Sequence, residues 1–270
     1  MERLEEIHLK DNEAKDSPEI TLPLGNKDIE VKNISFRYTG SSNFVFENLN
    51  LHIPYKKTTA IVGASGSGKT TLMKLLMKFY EPNEGNISVG NENLNKISPK
   101  IWRQYCGVVL QEGFIFNESI EKNIAVGDEY IDKQRLANSV SMANIKNFIE
   151  SLPSGYKTKI GNEGLPLSGG QKQRILIARA LYKVPEFILF DEATSALDAN
   201  TEKTIVENLE DFFKNRTAVI IAHRLSTVKS ADNIIVLDSG KVVEEGNHDE
   251  LVRLRGEYYR LVKNQLELGN

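Results

Sequence analysis

Hydrophobic and polar positions change their period along the chain, and this predicts where strands and helices lie. Residues 29–36 and 46–53 alternate imperfectly between apolar and polar, which predicts antiparallel strands at a sheet edge. Residues 58–62 form a short apolar run that enters a glycine-rich loop, the pattern of a buried parallel strand. Residues 69–80 then have the spacing of an amphipathic helix. The first part of the chain therefore predicts both antiparallel and parallel strands.

Helical patterns dominate the middle of the chain, and strands and helices alternate after it. Two candidate helices, residues 131–142 and 144–152, end at Pro153 and Gly155. After Leu167 the predicted elements are a helix, a strand at 187–190, a helix at 201–213, strands at 218–221 and 233–237, and one or two helices within 249–268. Such alternation favours a sheet with a parallel core and flanking helices. The middle segment is interpreted as a helical subdomain inserted into this sheet domain.

Composition and charge limit which partners and which cellular location the chain is expected to have. Lys and Arg number 34 and Asp and Glu number 37, so 34 − 37 = −3 and no global positive field attracts nucleic acid. No nucleic-acid partner is expected. A single cysteine, Cys106, cannot form an internal disulfide. The longest apolar runs are much shorter than the ~20 residues of a membrane-spanning helix, and no signal segment opens the sequence, so a cytoplasmic chain is expected.

One glycine-rich segment has the residues and the setting of a phosphate-binding loop. Residues 63–70 fit the pattern G-x-x-x-x-G-K-[ST] and lie between the predicted strand and helix. Backbone N–H groups in such a loop converge on phosphate oxygens at a helix N-terminus. Lys69 would pair with the β- and γ-phosphates, and the Thr70 hydroxyl would bind Mg²⁺. The predicted nucleotide contacts are Gly63, Ser65, Gly66, Ser67, Gly68, Lys69, Thr70 and Thr71. A glycine turn without nucleotide is the less favoured alternative.

Two adjacent carboxylates follow the predicted strand 187–190. They emerge at the carboxyl edge of the sheet, where ligands of α/β folds bind. Asp191 would bind Mg²⁺, and Glu192 would act as general base on the water that attacks the γ-phosphate. Taken alone, Asp-Glu after an apolar run is more often a helix cap. The phosphate-binding loop makes the catalytic interpretation the stronger one.

A second glycine-containing segment precedes a helix at residues 167–171. Ser168, Gly169, Gly170 and Gln171 would form another cradle of backbone amides at a helix N-terminus. A serine-glycine turn that only caps the helix is the alternative, and it would be favoured if the segment stood alone.

This second segment is similar to the signature of the ABC ATPases, and other motifs of that family appear in the expected order from about Asp28 onwards. The resemblance implies roles for four more residues. Tyr38 would stack on the adenine, Gln111 would sense Mg²⁺ and the γ-phosphate, and Asp198 would reach across a dimer interface. His223 would contact the γ-phosphate and orient the attacking water. Catalysis is thus assigned to Lys69, Gln111, Glu192 and His223, nucleotide contacts also include Gln111, Asp191 and Asp198, and the metal ligands are Thr70, Gln111 and Asp191.

The family also implies an architecture. The expected fold is α/β: a P-loop NTPase core with a mixed sheet, an antiparallel β edge subdomain and an inserted α-helical subdomain at about residues 117–180. Residues 1–28, which contain Pro18 and Pro23, are predicted to be a helix and linker leading from a transmembrane domain, and residues 29–270 are predicted to be the ATPase domain. The segment at 55–57 departs from the family, because it lacks the usual glycine.

Residues 111–120 and 222–246 resemble the exporter branch of the family, and residues 161–181 look most like transporters of peptides and toxins. The resemblance implies ATP hydrolysis coupled to export, with a transmembrane domain as partner at the cytoplasmic face of the inner membrane. It also implies an ATP-dependent head-to-tail homodimer, in which residues 63–71 of one chain and 168–171 of the other clamp each ATP. The alternatives are a soluble ABC ATPase acting on DNA or ribosomes and a regulator without turnover; Glu192 and His223 disfavour the second.

Overall fold

The computed structural model describes residues 22, 25–194, 196–222 and 228–268, and the side chains of all of these except 264–268. The helix and linker predicted for residues 1–28 therefore lie largely outside the described residues. The strands are β1 (Ile29–Phe36), β2 (Phe46–Ile53), β3 (Thr58–Val62), β4 (Glu84–Val89), β5 (Glu92–Asn93), β6 (Cys106–Val109), β7 (Phe187–Asp191), β8 (Thr217–Ile221), β9 (Asn233–Asp238) and β10 (Lys241–Gly246).

A six-stranded mixed sheet forms the centre of the molecule. Its order is β10-β9-β3-β8-β7-β6, with β10 antiparallel to β9 and the other neighbours parallel. The parallel strands are apolar on both faces because both faces are covered. Along β7, for example, Phe187 and Leu189 belong to one hydrophobic cluster, whereas Ile188 and Phe190 belong to the other. The predicted parallel core is confirmed.

A separate four-stranded antiparallel sheet, in the order β2-β1-β4-β5, carries the first two predicted strands. β1 and β2 pair antiparallel, and their sheet confirms the predicted antiparallel β subdomain. Their inward residues, including Ile29, Ile53 and Phe46, are fully buried in the same cluster as Phe187 and Leu189. The two sheets thus share one core, and this core packs against the strand that leads into the glycine-rich loop.

The helices are α1 (Lys69–Leu76), α2 (Pro99–Tyr105), α3 (Ile120–Ile124), α4 (Lys133–Met142), α5 (Lys146–Ser151), α6 (Gly169–Tyr182), α7 (Ala199–Phe213), α8 (His248–Leu254) and α9 (Glu257–Leu268). Several short helices lie between residues 117 and 180, where a helical subdomain is predicted. Helix α1 ends before the predicted residue 80, because Lys78 has the left-handed φ of 55°. Among the described helices, none is long and apolar enough to cross a membrane.

Candidate nucleotide site

The loop between β3 and α1 requires glycine at its two ends. Gly63 has φ 151° and Gly68 has φ 105°, both in the region that side chains disfavour. A Cβ atom on Gly63 would lie 2.0 Å from the Leu237 carbonyl oxygen, and one on Gly68 would lie 2.6 Å from Cε1 of Phe46. The Leu237 backbone at Gly63, the Phe46 ring at Gly68 and the positive φ at both positions therefore favour glycine over other residues here.

Lys69 is the first residue of α1, and its side chain folds back against this loop. Its side chain is buried, and Nζ donates hydrogen bonds of 2.9 Å and 2.8 Å to the carbonyl oxygens of Gly63 and Ala64. Burial lowers the pKa of Lys69, while the carboxylates of Glu192 and Asp191 act in the opposite direction. The loop thus holds an ammonium group in a partly desolvated place, where an added phosphate would interact strongly with it.

Asp191 ends β7 and is almost completely buried. Burial raises the pKa of its carboxyl group, and a hydrogen bond with the Thr70 side chain acts against that rise. Its Oδ1 atom and the hydroxyl of Ser67 are buried without hydrogen-bond partners in the described part of the chain. Buried polar atoms normally have hydrogen-bond partners, so these two atoms indicate a place where an added polar group could bind.

Glu192 lies next to the loop and contacts Gln111. The Nε2 atom of Gln111 donates a 3.0 Å hydrogen bond to Oε2 of Glu192. Glu192 itself has the left-handed φ of 52°, and its N–H donates a 3.1 Å bond to the Ile221 carbonyl on β8. This turn directs the chain out of β7 immediately after Asp191. The structure therefore brings the Gln111 amide next to two adjacent carboxylates that are far from it in sequence.

A pocket of ≈ 330 Å³ brings together seven of the predicted nucleotide residues and the predicted base Glu192. It is lined by Val45, Ser65, Gly66, Gly68, Lys69, Thr70, Thr71, Gln111 and Glu192. Sequence reasoning missed Val45, which lies in the loop before β2 and carries no motif. Tyr38 is nearby, since its hydroxyl oxygen lies 3.0 Å from the Thr71 hydroxyl. Its ring packs edge-on against Phe36 and Tyr80. Stacking of Tyr38 on a base stays a prediction.

The second glycine segment has the structure of a capped helix N-terminus. Ser168 Oγ accepts a hydrogen bond from the Gln171 N–H, and Oε1 of Gln171 accepts one from the Ser168 N–H. Ser168 and Gly169 are exposed. Capping is compatible with a cradle for an anion, because the remaining first-turn amides stay available. Ser168 to Gln171 are not among the described residues that line the pocket of their own chain.

Of the two remaining predicted site residues, Asp198 is described by the structure and His223 is not. Asp198 is exposed and caps α7, where its carboxylate accepts a 3.0 Å hydrogen bond from the Thr201 N–H. That bond is the main cause of its lowered pKa. A role across a dimer interface stays a prediction for Asp198. His223 lies outside the described residues, and so does its predicted contact with the γ-phosphate.

A glycine-rich loop that joins a buried parallel strand to a helix and encloses a lysine defines the P-loop class of nucleotide-binding proteins. Within that class, the profile of the ABC transporter family matches residues 46–195. The chain belongs to the ABC transporter family and is an ATP-binding ATPase domain of it.

Individual relatives agree with this assignment. The chain is 46% identical over 267 residues to the pediocin PA-1 transport/processing ATP-binding protein of Pediococcus acidilactici, covering 97% of this chain and 37% of that protein. It is 45% identical over 238 residues to the alpha-hemolysin translocation ATP-binding protein of Escherichia coli O157:H7, covering 88% of this chain and 34% of that protein. A solved bacterial Atm1-family ABC exporter with ATP bound superposes with a TM-score of 0.89 at 37% identity, over 98% of this chain and 46% of that one. The chain thus spans less than half the length of each.

Proposed function

We propose that this chain hydrolyses ATP to power export of a peptide or protein toxin across a membrane. It would act at the cytoplasmic face, as the nucleotide-binding domain that works with a transmembrane domain. The observation that carries the proposal is the convergence of Lys69, Gln111 and Glu192 on one pocket, with Asp191 beside it. The functions of two relatives, pediocin transport and alpha-hemolysin translocation, support the substrate class.

The site has the chemistry to hold Mg²⁺ with the nucleotide. Thr70, Asp191 and Gln111 would hold the ion, since hydroxyl, carboxylate and amide oxygens are the ligands that Mg²⁺ prefers. The buried, unpartnered Oδ1 of Asp191 fits this role. Bound Mg²⁺ would neutralise charge on the phosphates. Around it, Lys69 would exchange its bonds to Gly63 and Ala64 for phosphate oxygens.

Glu192 would act as general base on the attacking water. It emerges at the carboxyl end of β7 and accepts a hydrogen bond from Gln111, which keeps the carboxylate directed along the pocket rim. A carboxylate in this place can accept the proton of a water molecule that attacks the γ-phosphate. We also propose His223 as a second residue that orients this water and Tyr38 as the residue that stacks on the adenine.

A second copy of the chain would complete each site. Ser168 and Gly169 are exposed, Gly170 and Gln171 are half-buried, and none of the four lines the pocket of its own chain, so their amides are placed to bind a nucleotide held by another molecule. In a head-to-tail homodimer, Ser168 to Gln171 of one chain would contact the γ-phosphate held by the other, and Asp198 would lie at the interface. ATP would then join the two chains, and hydrolysis would release them.

Transport of a labelled peptide into inside-out vesicles tests the proposed function. Vesicles that contain this chain with its transmembrane domain are expected to accumulate a fluorescent peptide when MgATP is added, because the nucleotide site would face the external buffer. The non-hydrolysable analogue AMP-PNP serves as the control and is expected to give no accumulation. Phosphate release that ribosomes or DNA stimulate, without any peptide uptake, would instead favour a soluble ABC ATPase.

A further inference from the structure

Gln173 connects the signature helix to the loop that carries Glu192. It lies in the second turn of α6 and is only 7% exposed. Its Nε2 atom donates a 2.9 Å hydrogen bond to the Glu192 carbonyl oxygen. Its Oε1 atom accepts a 2.8 Å bond from the Ala196 N–H. Both ends of one buried carboxamide are therefore used on the segment that follows β7.

The first of these bonds acts on a strained residue. Glu192 has φ 52°, and a residue other than glycine keeps such a backbone only where its surroundings enforce it. Its N–H is held by the Ile221 carbonyl, and its carbonyl is held by Gln173. The backbone of Glu192 is thus fixed on both sides, by β8 and by α6. The direction in which its side chain leaves the backbone depends on both.

The second bond acts a few residues further along the chain. Ala196 is followed by Leu197, which is buried, and by Asp198, which is exposed and caps α7. Because Gln173 holds the Ala196 N–H, the segment from Glu192 to the start of α7 is tied to α6 at two points. The same helix begins with the exposed signature residues Ser168 and Gly169. A shift of α6 would therefore move the Glu192 backbone.

We infer that Gln173 is a positioning residue that couples the signature segment of a chain to the general base of the same chain. This inference rests on the proposed function, in which Glu192 activates water and the signature binds the partner's nucleotide. In the dimer, the signature of one chain serves the second ATP, whereas its Glu192 serves the first. A change at one ATP site would then alter the position of Glu192 at the other site through Gln173.

Substitution of Gln173 by Met separates positioning from packing. Methionine has a similar length and volume and lacks both hydrogen-bonding groups. We expect kcat for ATP hydrolysis to fall by about tenfold, because a small displacement of a catalytic group costs up to about a hundredfold in rate. We expect KM and the equilibrium Kd for ATP to stay within about twofold, since the groups that line the pocket are untouched. The melting temperature is measured in parallel.

Tyr182→Phe is the matched control on the same helix. Its hydroxyl donates to Asp128 and accepts from the Asp132 N–H, so its loss removes a polar link of α6 far along the helix from Glu192. This variant is expected to keep kcat. If Gln173→Met does not fold, Gln173→Glu is used instead. It keeps the acceptor for Ala196 but loses the donor to the Glu192 carbonyl, and the same selective fall in kcat is expected.

Two results would overturn the inference: a kcat within twofold of wild type, or a rise in KM at unchanged kcat. Glu192→Gln is assayed in the same series. If Glu192→Gln retains full activity, the proposed base is wrong and the inference fails with it. If Glu192→Gln is inactive and Gln173→Met is fully active, only the positioning role of Gln173 is wrong.

Discussion

Glu192→Gln is expected to lower kcat for ATP hydrolysis by about 10²–10⁴-fold, the usual contribution of a general base. Glutamine has the shape of glutamate but cannot accept a proton from the attacking water. Its side-chain oxygen can still accept the hydrogen bond from Gln111, so the pocket keeps its geometry. The Kd for MgATP is therefore expected to change by less than about threefold. Steady-state phosphate release and a titration with a fluorescent ATP analogue measure the two quantities.

Glu112→Gln is the control for this variant. Glu112 is an exposed glutamate beside Gln111, so it changes the net charge near the site by the same amount. It is expected to hydrolyse ATP as wild type does. A Glu192→Gln protein whose kcat is within tenfold of wild type would exclude Glu192 as the base.

Lys69→Met is expected to weaken ATP binding by about a hundredfold. Loss of one partner of a buried, hydrogen-bonded charge pair costs about 2–5 kcal/mol, and about 3 kcal/mol corresponds to this factor. The protein is expected to remain folded, because burial lowers the pKa of Lys69 and so opposes its charge in the folded state. Calorimetric titration with MgATP measures the affinity, and thermal unfolding verifies the fold.

Lys100→Met is the matched control, because Lys100 is exposed on α2. It removes one positive charge without touching the pocket and is expected to leave the Kd unchanged. If Lys69→Met bound ATP within threefold of wild type, the loop between β3 and α1 would not be the phosphate site.

Short-range sequence patterns predict β3, β7, β8 and β9, because these parallel strands are apolar on both faces, whereas β4, β5, β6 and β10 are not among the predicted strands. The apolar run at 58–62 coincides with β3 and ends where Gly63 begins the loop. The run at 187–190 falls one residue short of β7, since the strand includes the buried Asp191. A carboxylate at a strand end interrupts the apolar pattern although the backbone continues. The apolar pattern therefore locates this strand to within one residue and leaves out the carboxylate that ends it.

Hydrogen bonds between residues that are distant in sequence could not be predicted from the sequence. The turn at 55–57 has no glycine, yet Lys56 has φ 57°. Two distant acceptors hold it: Asp28 accepts from the Tyr55 N–H at 2.6 Å, and Thr217 accepts from the Lys56 N–H at 2.9 Å. Which residues meet at a turn depends on the tertiary fold. The departure from the family pattern is visible in sequence, but its compensation is not.

The position of Gln173 in the sequence gives a weak indication of its role. Gln173 is a polar residue on the buried stripe of α6, one helical turn before Ile177. A polar side chain in that position requires a buried partner. The periodicity predicts that such a partner exists, and only the fold identifies it as the Glu192 carbonyl. The position of Val45 in the pocket wall could not be predicted from the sequence, because an apolar residue in a loop has many possible environments.

In the proposed dimer, ATP joins two copies of this chain through the signature segment. Ser168→Asp tests the segment without removing the helix cap, since aspartate caps helices as well as serine does. Its carboxylate would repel the partner's γ-phosphate, whereas the phosphate-binding loop of its own chain would be unaffected. Ser98→Asp makes the same change at the cap of α2, whose Ser98 hydroxyl accepts from the Ile101 N–H.

The decisive measurement is the mass of the Glu192→Gln chain in solution by light scattering, with and without MgATP. We expect a monomer without nucleotide and a dimer with it, a dimer again when Ser98→Asp is added, and a monomer when Ser168→Asp is added. A Glu192→Gln/Ser168→Asp protein that binds ATP and still dimerises as fully as Glu192→Gln would contradict the claim that the signature segment completes the partner's site.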